Sequence, residues 1–391
     1  MGPQSAIGPD RGAARHGVRD DGVQRGGGVS GGTGRPVRIA CILLFALGVG
    51  HITAMRLGAQ EPEVVSGEVT CGECVITLDT VVTIGGLDGP GLELVSPFSH
   101  VAVDRRGRIL LWNSREAEVA VFDSTGTYLR TIGGRGEGPG EYQSISHIGV
   151  GPHYIHVFEY HKGRTMLDHD FQVLRTDRFL GEVRSAAVVS DDVAVFLTSV
   201  PTPGSVDHKF HVLRPSGEMA SRGYDGRVHS PEQTPRATHT AVAGRDETVW
   251  AVPWETNRIV RWDLTPEPRI RRVYDRRVAE FDEGDDEFAP AALGSAMLDD
   301  RGLWLVWHTA DPDWTGPPPP PEARLHEIDI VELRDGWLDL VDPATGRTLA
   351  RYHHDGVFVG FDGSSRYVIG YEETEAGVPF LHILEPRLSR R

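Results

Sequence analysis

The chain has 391 residues, 40 Lys and Arg against 56 Asp and Glu, and a formal net charge of −16. This charge argues against nucleic-acid binding, because such binding rests largely on basic side chains that neutralise phosphates. It also argues against peripheral attachment to anionic lipid. The 47 Gly and 26 Pro are typical of many short strands joined by turns.

The first 59 residues differ in composition from the rest of the chain. Residues 1–38 contain almost no large apolar side chain, so we expect a disordered leader. Residues 39–59 follow Arg35 and Arg38, begin with a short apolar run and end near Ala59, which is the layout of a secretory signal peptide. The run is short for a membrane span, which needs roughly 20 apolar residues. We therefore expect a periplasmic or extracellular protein, with an uncleaved amino-terminal segment as the only alternative contact with a membrane.

Two cysteines lie beyond this segment, in the motif "CGEC". Cys71 lies in the stretch 60–73, which we interpret as a linker, and Cys74 begins the folded domain. In an exported chain the pair predicts a local disulfide. A redox pair or a zinc site is the alternative interpretation, although zinc usually takes a second pair of ligands.

A four-strand pattern then recurs along the chain. The segment from Ser99, "SHVAVDRRGRILLWNSREAEVAVFDSTGTYLRTIG", alternates apolar and polar residues with period 2 in four short runs. A similar segment begins 140 residues later, at His239. Weaker copies begin at Ser146, Ser185 and Ser295. The last copy has three strands only, while residues 74–86 form an isolated strand pattern at the other end of the domain.

The glycine-rich stretch "TIGGRGEGPGEY", residues 131–142, separates the first two copies. Glycines allow the positive-φ turns that a connection between two sheets needs. A phosphate-binding loop would instead require a following helix with a GK[ST] motif, and none follows. The stretch therefore predicts a connector between repeats.

Together these patterns predict an all-β fold over residues 74–387, a six-bladed β-propeller of four-stranded antiparallel blades. A single four-stranded sheet cannot bury both of its faces, and radial packing of several such sheets solves this problem. We expect the amino-terminal strand to complete the carboxy-terminal blade, with residues 80–86 beside residues 380–384. Such closure also removes an exposed sheet edge.

The segment from Val101 to Tyr142 resembles an NHL repeat, with "VAVD", "VAVFD", "TIGG" and "GEGPGEY" in the order of that pattern. Tyr142 stands where the repeat usually has Phe. With the leader and the "CGEC" motif, the chain is similar to exported bacterial six-bladed β-propeller proteins. The resemblance implies a fold and specifies no reaction.

Three side chains are candidates for function. His100 and His239 lie near the start of predicted innermost strands, and the resemblance to NHL-like lyases implies that such histidines hold a metal. Trp314 adjoins a proline-rich insertion, residues 311–329, and exposed aromatics are enriched in binding hot spots. The acidic stretch 280–288 lacks the spacing of a calcium loop.

Two functions follow from this reading. The first is a non-catalytic binding module for a protein, peptide or glycan, with no cofactor. The second is a metal-dependent hydrolase or lyase, lactonase-like or NHL-like, that would use calcium or zinc. The catalytic function predicts several polar side chains that converge on one end of the channel. The binding function predicts an apolar or aromatic patch on a loop face.

Overall fold

The structure is a computed structural model. It describes residues 61–87, 95–114, 116–160, 163–179, 182–191, 193–202, 205–214, 216–223, 239–254, 256–283, 291–316, 330–362 and 366–391. The predicted leader and signal segment, residues 1–59, lie outside the described residues.

The described strands form six sheets, five with four strands and one with five. Each sheet is built on one blade of four antiparallel strands. Blade 1 contains β3 (Ser99–Val103), β4 (Ile109–Asn113), β5 (Glu118–Phe122) and β6 (Tyr128–Gly133). Blade 2 contains β7 (Ile145–Val150), β8 (Ile155–Glu159), β9 (Gly163–Leu167) and β10 (Val173–Arg178). Blade 3 contains β11 (Glu182–Val188), β12 (Ala194–Thr202), β13 (Ser205–Leu213) and β14 (Met219–Gly223).

The second half of the chain repeats this order. Blade 4 contains β15 (His239–Ala243), β16 (Thr248–Pro253), β17 (Arg258–Asp263) and β18 (Arg269–Arg277). Blade 5 contains β19 (Ala292–Leu298), β20 (Leu303–Ala310), β21 (Arg334–Val341) and β22 (Thr348–His354). Blade 6 contains β23 (Phe358–Phe361), β24 (Val368–Glu373), β25 (Pro379–Arg390) and, as its outermost strand, β2 (Cys74–Gly85).

The first strand of each blade lies innermost, and neighbouring innermost strands contact one another around a complete ring. The ring closes through β2, which pairs antiparallel with β25 so that Thr80 lies opposite Leu384 and Gly85 opposite Phe380. The predicted six-bladed architecture and its closure by the amino-terminal strand are confirmed. We call the face at which the innermost strands begin the upper face, and the face at which they end the lower face.

The hydrophobic core lies between neighbouring blades. One apolar cluster joins blades 4 and 5 and includes Trp250 and Trp307, while another joins blades 6 and 1 and includes Ile84 and Leu111. Successive residues of an inner strand pack on opposite faces of the sheet: Ile109 and Leu111 lie in the cluster between blades 6 and 1, and Leu110 lies in the cluster between blades 1 and 2. Each sheet thus buries both of its faces against its neighbours. The outermost strand β6 is mostly exposed.

The amino-terminal segment extends beyond blade 6. A short strand, β1 (Glu63–Ser66), pairs in parallel with β18 and gives blade 4 a fifth strand. The backbone N–H groups of Thr70 and Cys71 then donate to the carbonyls of Thr348 and Leu349 in blade 5. Within residues 60–73, interpreted from sequence as a linker, the chain therefore contacts the outer edges of two blades.

The glycine-rich stretch connects β6 to β7. Gly133 has a φ of 89°, and a Cβ atom there would lie 2.8 Å from the carbonyl oxygen of Ala117. Tyr142 is buried at its far end, where the Tyr142 N–H donates to the Gly134 carbonyl. The glycine is required because a side chain would collide with the backbone of the preceding hairpin.

Two short helices occur outside the blades, α1 (Ala279–Glu283) and α2 (Ile330–Leu333). Among the described residues, no helix combines the length and the apolar character that a membrane crossing requires.

Candidate functional site at the upper mouth of the channel

Two histidines occupy matching places on adjacent innermost strands. His100 is the second residue of β3, and His147 is the third residue of β7, each directly after a serine. Each lies opposite an aromatic residue of the next strand, Trp112 for His100 and Phe158 for His147. The His100 and Trp112 rings stack with centroids 5.3 Å apart. The His147 and Phe158 rings are tilted, with centroids 6.3 Å apart. Both histidines therefore lie near the upper end of the channel, beside an aromatic ring.

The two imidazoles are accessible to solvent and yet surrounded by protein. His100 is exposed and His147 is half-buried, but desolvation by the surrounding protein lowers the pKa of His100 to about 4. The same effect lowers the pKa of His147 to about 3, with a smaller contribution from the nearby His100. Accessible side chains with such low pKa values are expected on the wall of a narrow channel, and both rings are neutral at pH 7.

Neither imidazole donates or accepts a hydrogen bond within the part of the chain that the structure describes. A neutral imidazole has one N–H donor and one nitrogen acceptor. Two such rings side by side therefore present two donors and two acceptors to whatever enters the mouth. They suit amide, hydroxyl or other uncharged polar groups, and neutral imidazole nitrogens are also metal ligands.

A third histidine lies across the ring in blade 5. His308 of β20 lies opposite Ala292 at the upper end of the blade, and its Nε2 accepts a hydrogen bond of 3.3 Å from the Phe358 N–H. Desolvation first, and the charge of Arg334 second, lower its pKa to about 3. His308 is therefore neutral as well, although one of its nitrogens is already engaged.

An exposed tryptophan adjoins this part of the upper face. The Trp254 side chain is 40% exposed, and its Nε1 donates to Thr240 Oγ1 at 3.0 Å. Thr240 in turn donates to the Gly294 carbonyl at 3.3 Å. The indole is thus held between blades 4 and 5 while 40% of the residue remains exposed, an arrangement that suits contact with a ligand.

Three carboxylates also meet on the upper face of blade 5. Carboxylate oxygens of Asp311, Asp335 and Asp355 all lie within 4.8 Å of one another. Asp335 Oδ2 lies 2.7 Å from His353 Nε2, and burial raises the pKa of Asp335 above its usual value, with the charges of Asp311 and Asp355 adding to the effect. This group contains neither His100 nor His147.

The residues singled out from sequence are not brought together as one site. His239 begins β15 opposite Pro253, but its side chain lies outside the described residues. Trp314 follows β20 on the upper face, partly buried against Gly316, and most of the proline-rich insertion lies outside the described residues. Cys71 and Cys74 are joined by a disulfide with Cα atoms 5.3 Å apart. Of the acidic stretch, residues 280–283 belong to α1 and the remainder is not described.

Sequence reasoning missed His147. The signal was nevertheless present, because the dipeptide Ser-His occurs at Ser99 and again at Ser146, 47 residues later. That offset is one blade, so the two histidines occupy equivalent places in successive repeats. His100 and His239, by contrast, belong to blades 1 and 4, which are not neighbours in the ring.

Comparisons with known proteins agree with this fold. Residues 94–193 match the DUF5128 family, described as 6-bladed beta-propeller. A search of curated proteins gave no significant match.

Solved structures give similar results. A member of the duf4221 family from Bacteroides vulgatus is 9% identical with a TM-score of 0.54, over 82% of this chain and 99% of that one. A protein from Bacteroides fragilis, described as exported, is 12% identical with a TM-score of 0.50, over 84% and 100% of the two chains. A streptogramin B lyase is 12% identical over 79% and 98%, but its TM-score of 0.42 supports no further argument. The chain is a six-bladed β-propeller, and its residues 94–193 match the family of that description.

Proposed function

We propose that this protein is an exported binding protein that takes a protein, peptide or glycan ligand at the upper mouth of its channel and does not catalyse a reaction. The observation that supports this proposal most directly is the pair His100 and His147. Their imidazoles are neutral, accessible and without a hydrogen-bond partner in the described residues, so they are available to a ligand.

The chemistry of the mouth favours uncharged polar groups. Neutral imidazoles bind amides and hydroxyls through paired donors and acceptors, and the exposed indole of Trp254 offers an apolar face. Peptides and glycans both combine such polar groups with apolar surface. The net charge of −16 counts against a nucleic acid as ligand.

Export is part of the proposal. It rests on the signal-like arrangement of residues 39–59 and on the disulfide between Cys71 and Cys74, since disulfides persist mainly in oxidising compartments. Attachment to a membrane through an uncleaved amino-terminal segment is compatible with this proposal.

The experiment is a binding screen with the full chain produced in an exporting host. Glycan and peptide arrays identify a ligand, and titration calorimetry then measures its affinity for His100→Ala, His147→Ala and a matched control, His153→Ala. His153 belongs to the same blade, is 77% exposed and pairs with Asp191 away from the channel mouth. We expect His100→Ala and His147→Ala each to weaken binding about tenfold or more, because each removes about one hydrogen bond between neutral groups in a desolvated site. The control should bind as the unmodified protein does.

Metal content separates the proposal from its alternative, a calcium- or zinc-dependent hydrolase or lyase. The same preparation is purified without chelator and analysed by mass spectrometry for bound metal. About one tightly held ion per chain, lost in the His100→Ala variant, would favour the metal-dependent enzyme. Ligand binding that is unchanged after chelation supports the binding protein.

A further inference from the structure

A separate pocket of about 410 Å³ lies on the lower face, between blades 4 and 5. It is formed by the β15–β16, β19–β20 and β21–β22 turns, which occur at the opposite end of the blades from His100 and His147. Residues of both blades line it, so the pocket is built by the packing of two repeats. Nothing in the proposed function uses this pocket.

Four arginines of blade 4 lie on or near the pocket. Arg245 and Arg261 line it, and Arg269 and Arg271 lie near Asp263. Three of them approach the single carboxylate of Asp263, at 3.8 Å for Arg261, 3.8 Å for Arg269 and 4.0 Å for Arg271. These distances are too long for hydrogen bonds. The fourth, Arg245, is exposed and lines the pocket together with Arg261.

Arg261 has a hydrogen-bond donor that is not satisfied within the described residues. Its Nε is buried and has no hydrogen-bond partner within the described part of the chain. Its guanidinium lies over the Trp250 ring at 5.9 Å, which fixes its position on the pocket wall. By contrast, Arg301 on the opposite wall is already bonded to Asp299 and to the Pro386 carbonyl. The Arg261 side chain as a whole is 40% exposed, so its terminal N–H groups can donate to an oxyanion in the pocket.

The pocket also offers acceptors and an apolar surface. Four aspartates line it. Asp246 and Asp300 are exposed, Asp299 is bonded to Arg301, and Asp342 accepts hydrogen bonds from Thr345 Oγ1 and the Ala344 N–H. Leu298 adds a half-buried apolar side chain. Carboxylates beside the arginines disfavour a bare anion and favour a ligand that also carries hydroxyl donors. The turn that carries Asp246 is itself unusual, since Asp246 and Glu247 both have left-handed φ values, 54° and 51°.

We propose that this pocket binds an acidic sugar, a saccharide that carries a carboxylate or a sulfate ester. Arg245 and Arg261 hold the oxyanion, Arg269 and Arg271 add positive charge, and Asp246 and Asp300 accept hydrogen bonds from ring hydroxyls. Guanidinium groups suit this role because their planar donors match the oxygens of carboxylates and sulfates.

The test is titration calorimetry of the full chain at low salt with glucuronate and glucose 6-sulfate. Glucose and inorganic sulfate serve as probes of the sugar and the anion alone. We expect saturable binding of at least one acidic sugar, and about tenfold or weaker binding in Arg261→Gln and Arg245→Gln. The matched control is Arg106→Gln, which changes an exposed arginine in the corresponding turn of blade 1 that is bonded to Asp170. His100→Ala should also leave this binding unchanged, so the test is independent of the proposed function.

Three results would overturn the proposal. The first is the absence of saturable binding for both acidic sugars. The second is an equal loss of affinity in Arg106→Gln, which would indicate general electrostatic attraction. The third is inorganic sulfate binding as tightly as glucose 6-sulfate, which would indicate a bare anion site.

Discussion

Arg276 and Asp339 form a buried ion pair between blades 4 and 5, with Arg276 Nη2 2.5 Å from Asp339 Oδ2 and both side chains fully buried. Arg276 also donates to Asn257 Oδ1 and Thr348 Oγ1, each at 2.8 Å. Arg351 donates to the other oxygen of Asp339 at 2.7 Å. The carboxylate is thus shared by two guanidinium groups, and polar contacts join the two blades as well as apolar packing.

Removing one partner of this pair should destabilise the protein strongly. We expect Asp339→Asn to lower the free energy of unfolding by about 3–5 kcal/mol, because it leaves the buried Arg276 guanidinium without a counter-charge, while Arg351 keeps its pair with Glu280. Urea denaturation followed by tryptophan fluorescence measures the change. The matched control is Asp170→Asn, which breaks the solvent-exposed pair with Arg106 and should change the free energy of unfolding far less. Equal effects of the two substitutions would contradict the assignment.

The closing strand offers a second prediction, based on its two faces. Ile84 is 3% exposed and packs in the core between blades 6 and 1, whereas Val81 is 47% exposed. We expect Ile84→Ala to lower the free energy of unfolding by about 2–4 kcal/mol and Val81→Ala by less than about 0.5 kcal/mol. Similar losses at both positions would mean that β2 does not pack as described. The measurement is again urea denaturation.

The disulfide should contribute modestly. Cys71 and Cys74 are three residues apart, so the bond restricts the unfolded chain very little. We expect the double variant Cys71→Ser, Cys74→Ser to lose about 2 kcal/mol or less. Thermal unfolding of the oxidised, reduced and substituted proteins tests this expectation. A loss beyond about 4 kcal/mol would show that the bond is essential to the attachment of the amino-terminal segment.

Stability should fall in mild acid through His156. This side chain is fully buried in blade 2, and burial first, with the charge of Arg164 second, lowers its pKa to about 3. The unfolded chain takes up the proton near pH 6.5 and the folded chain only near pH 3. The stabilisation is therefore complete above pH 6.5 and is lost as the pH falls towards 3, by up to about 1.4 kcal/mol per pH unit.

The His156→Gln variant measures this contribution, because glutamine does not titrate. Its free energy of unfolding should depend less on pH between 6.5 and 4.5 than that of the unmodified protein. Parallel curves for the unmodified protein and His156→Gln would contradict the prediction.

The sequence predicted the blades well because the four-strand pattern from Ser99 recurs at His239 and, more weakly, at Ser146, Ser185 and Ser295. It did not predict β1, since Glu63–Ser66 is too short to show a period and depends on the edge of β18 for its hydrogen bonds. The acidic group of blade 5 comes from three separate positions, Asp311, Asp335 and Asp355, which share no local spacing. His100 was identified from its strand, whereas finding His147 required comparing successive repeats, in which Ser-His recurs after 47 residues.

The pairing of β2 with β25 has a consequence for the synthesis of the protein. Thr83 and His382 interact across this pair, and they are 299 residues apart in the chain. The ribosome makes β2 before the strands of blades 1 to 5 and β25 after them, so blade 6 cannot form until β25 has been synthesised. A prematurely terminated product would leave β2 without its partner and its apolar side chains in water, where proteases recognise it. Ring closure thereby makes the stability of the propeller conditional on a complete chain.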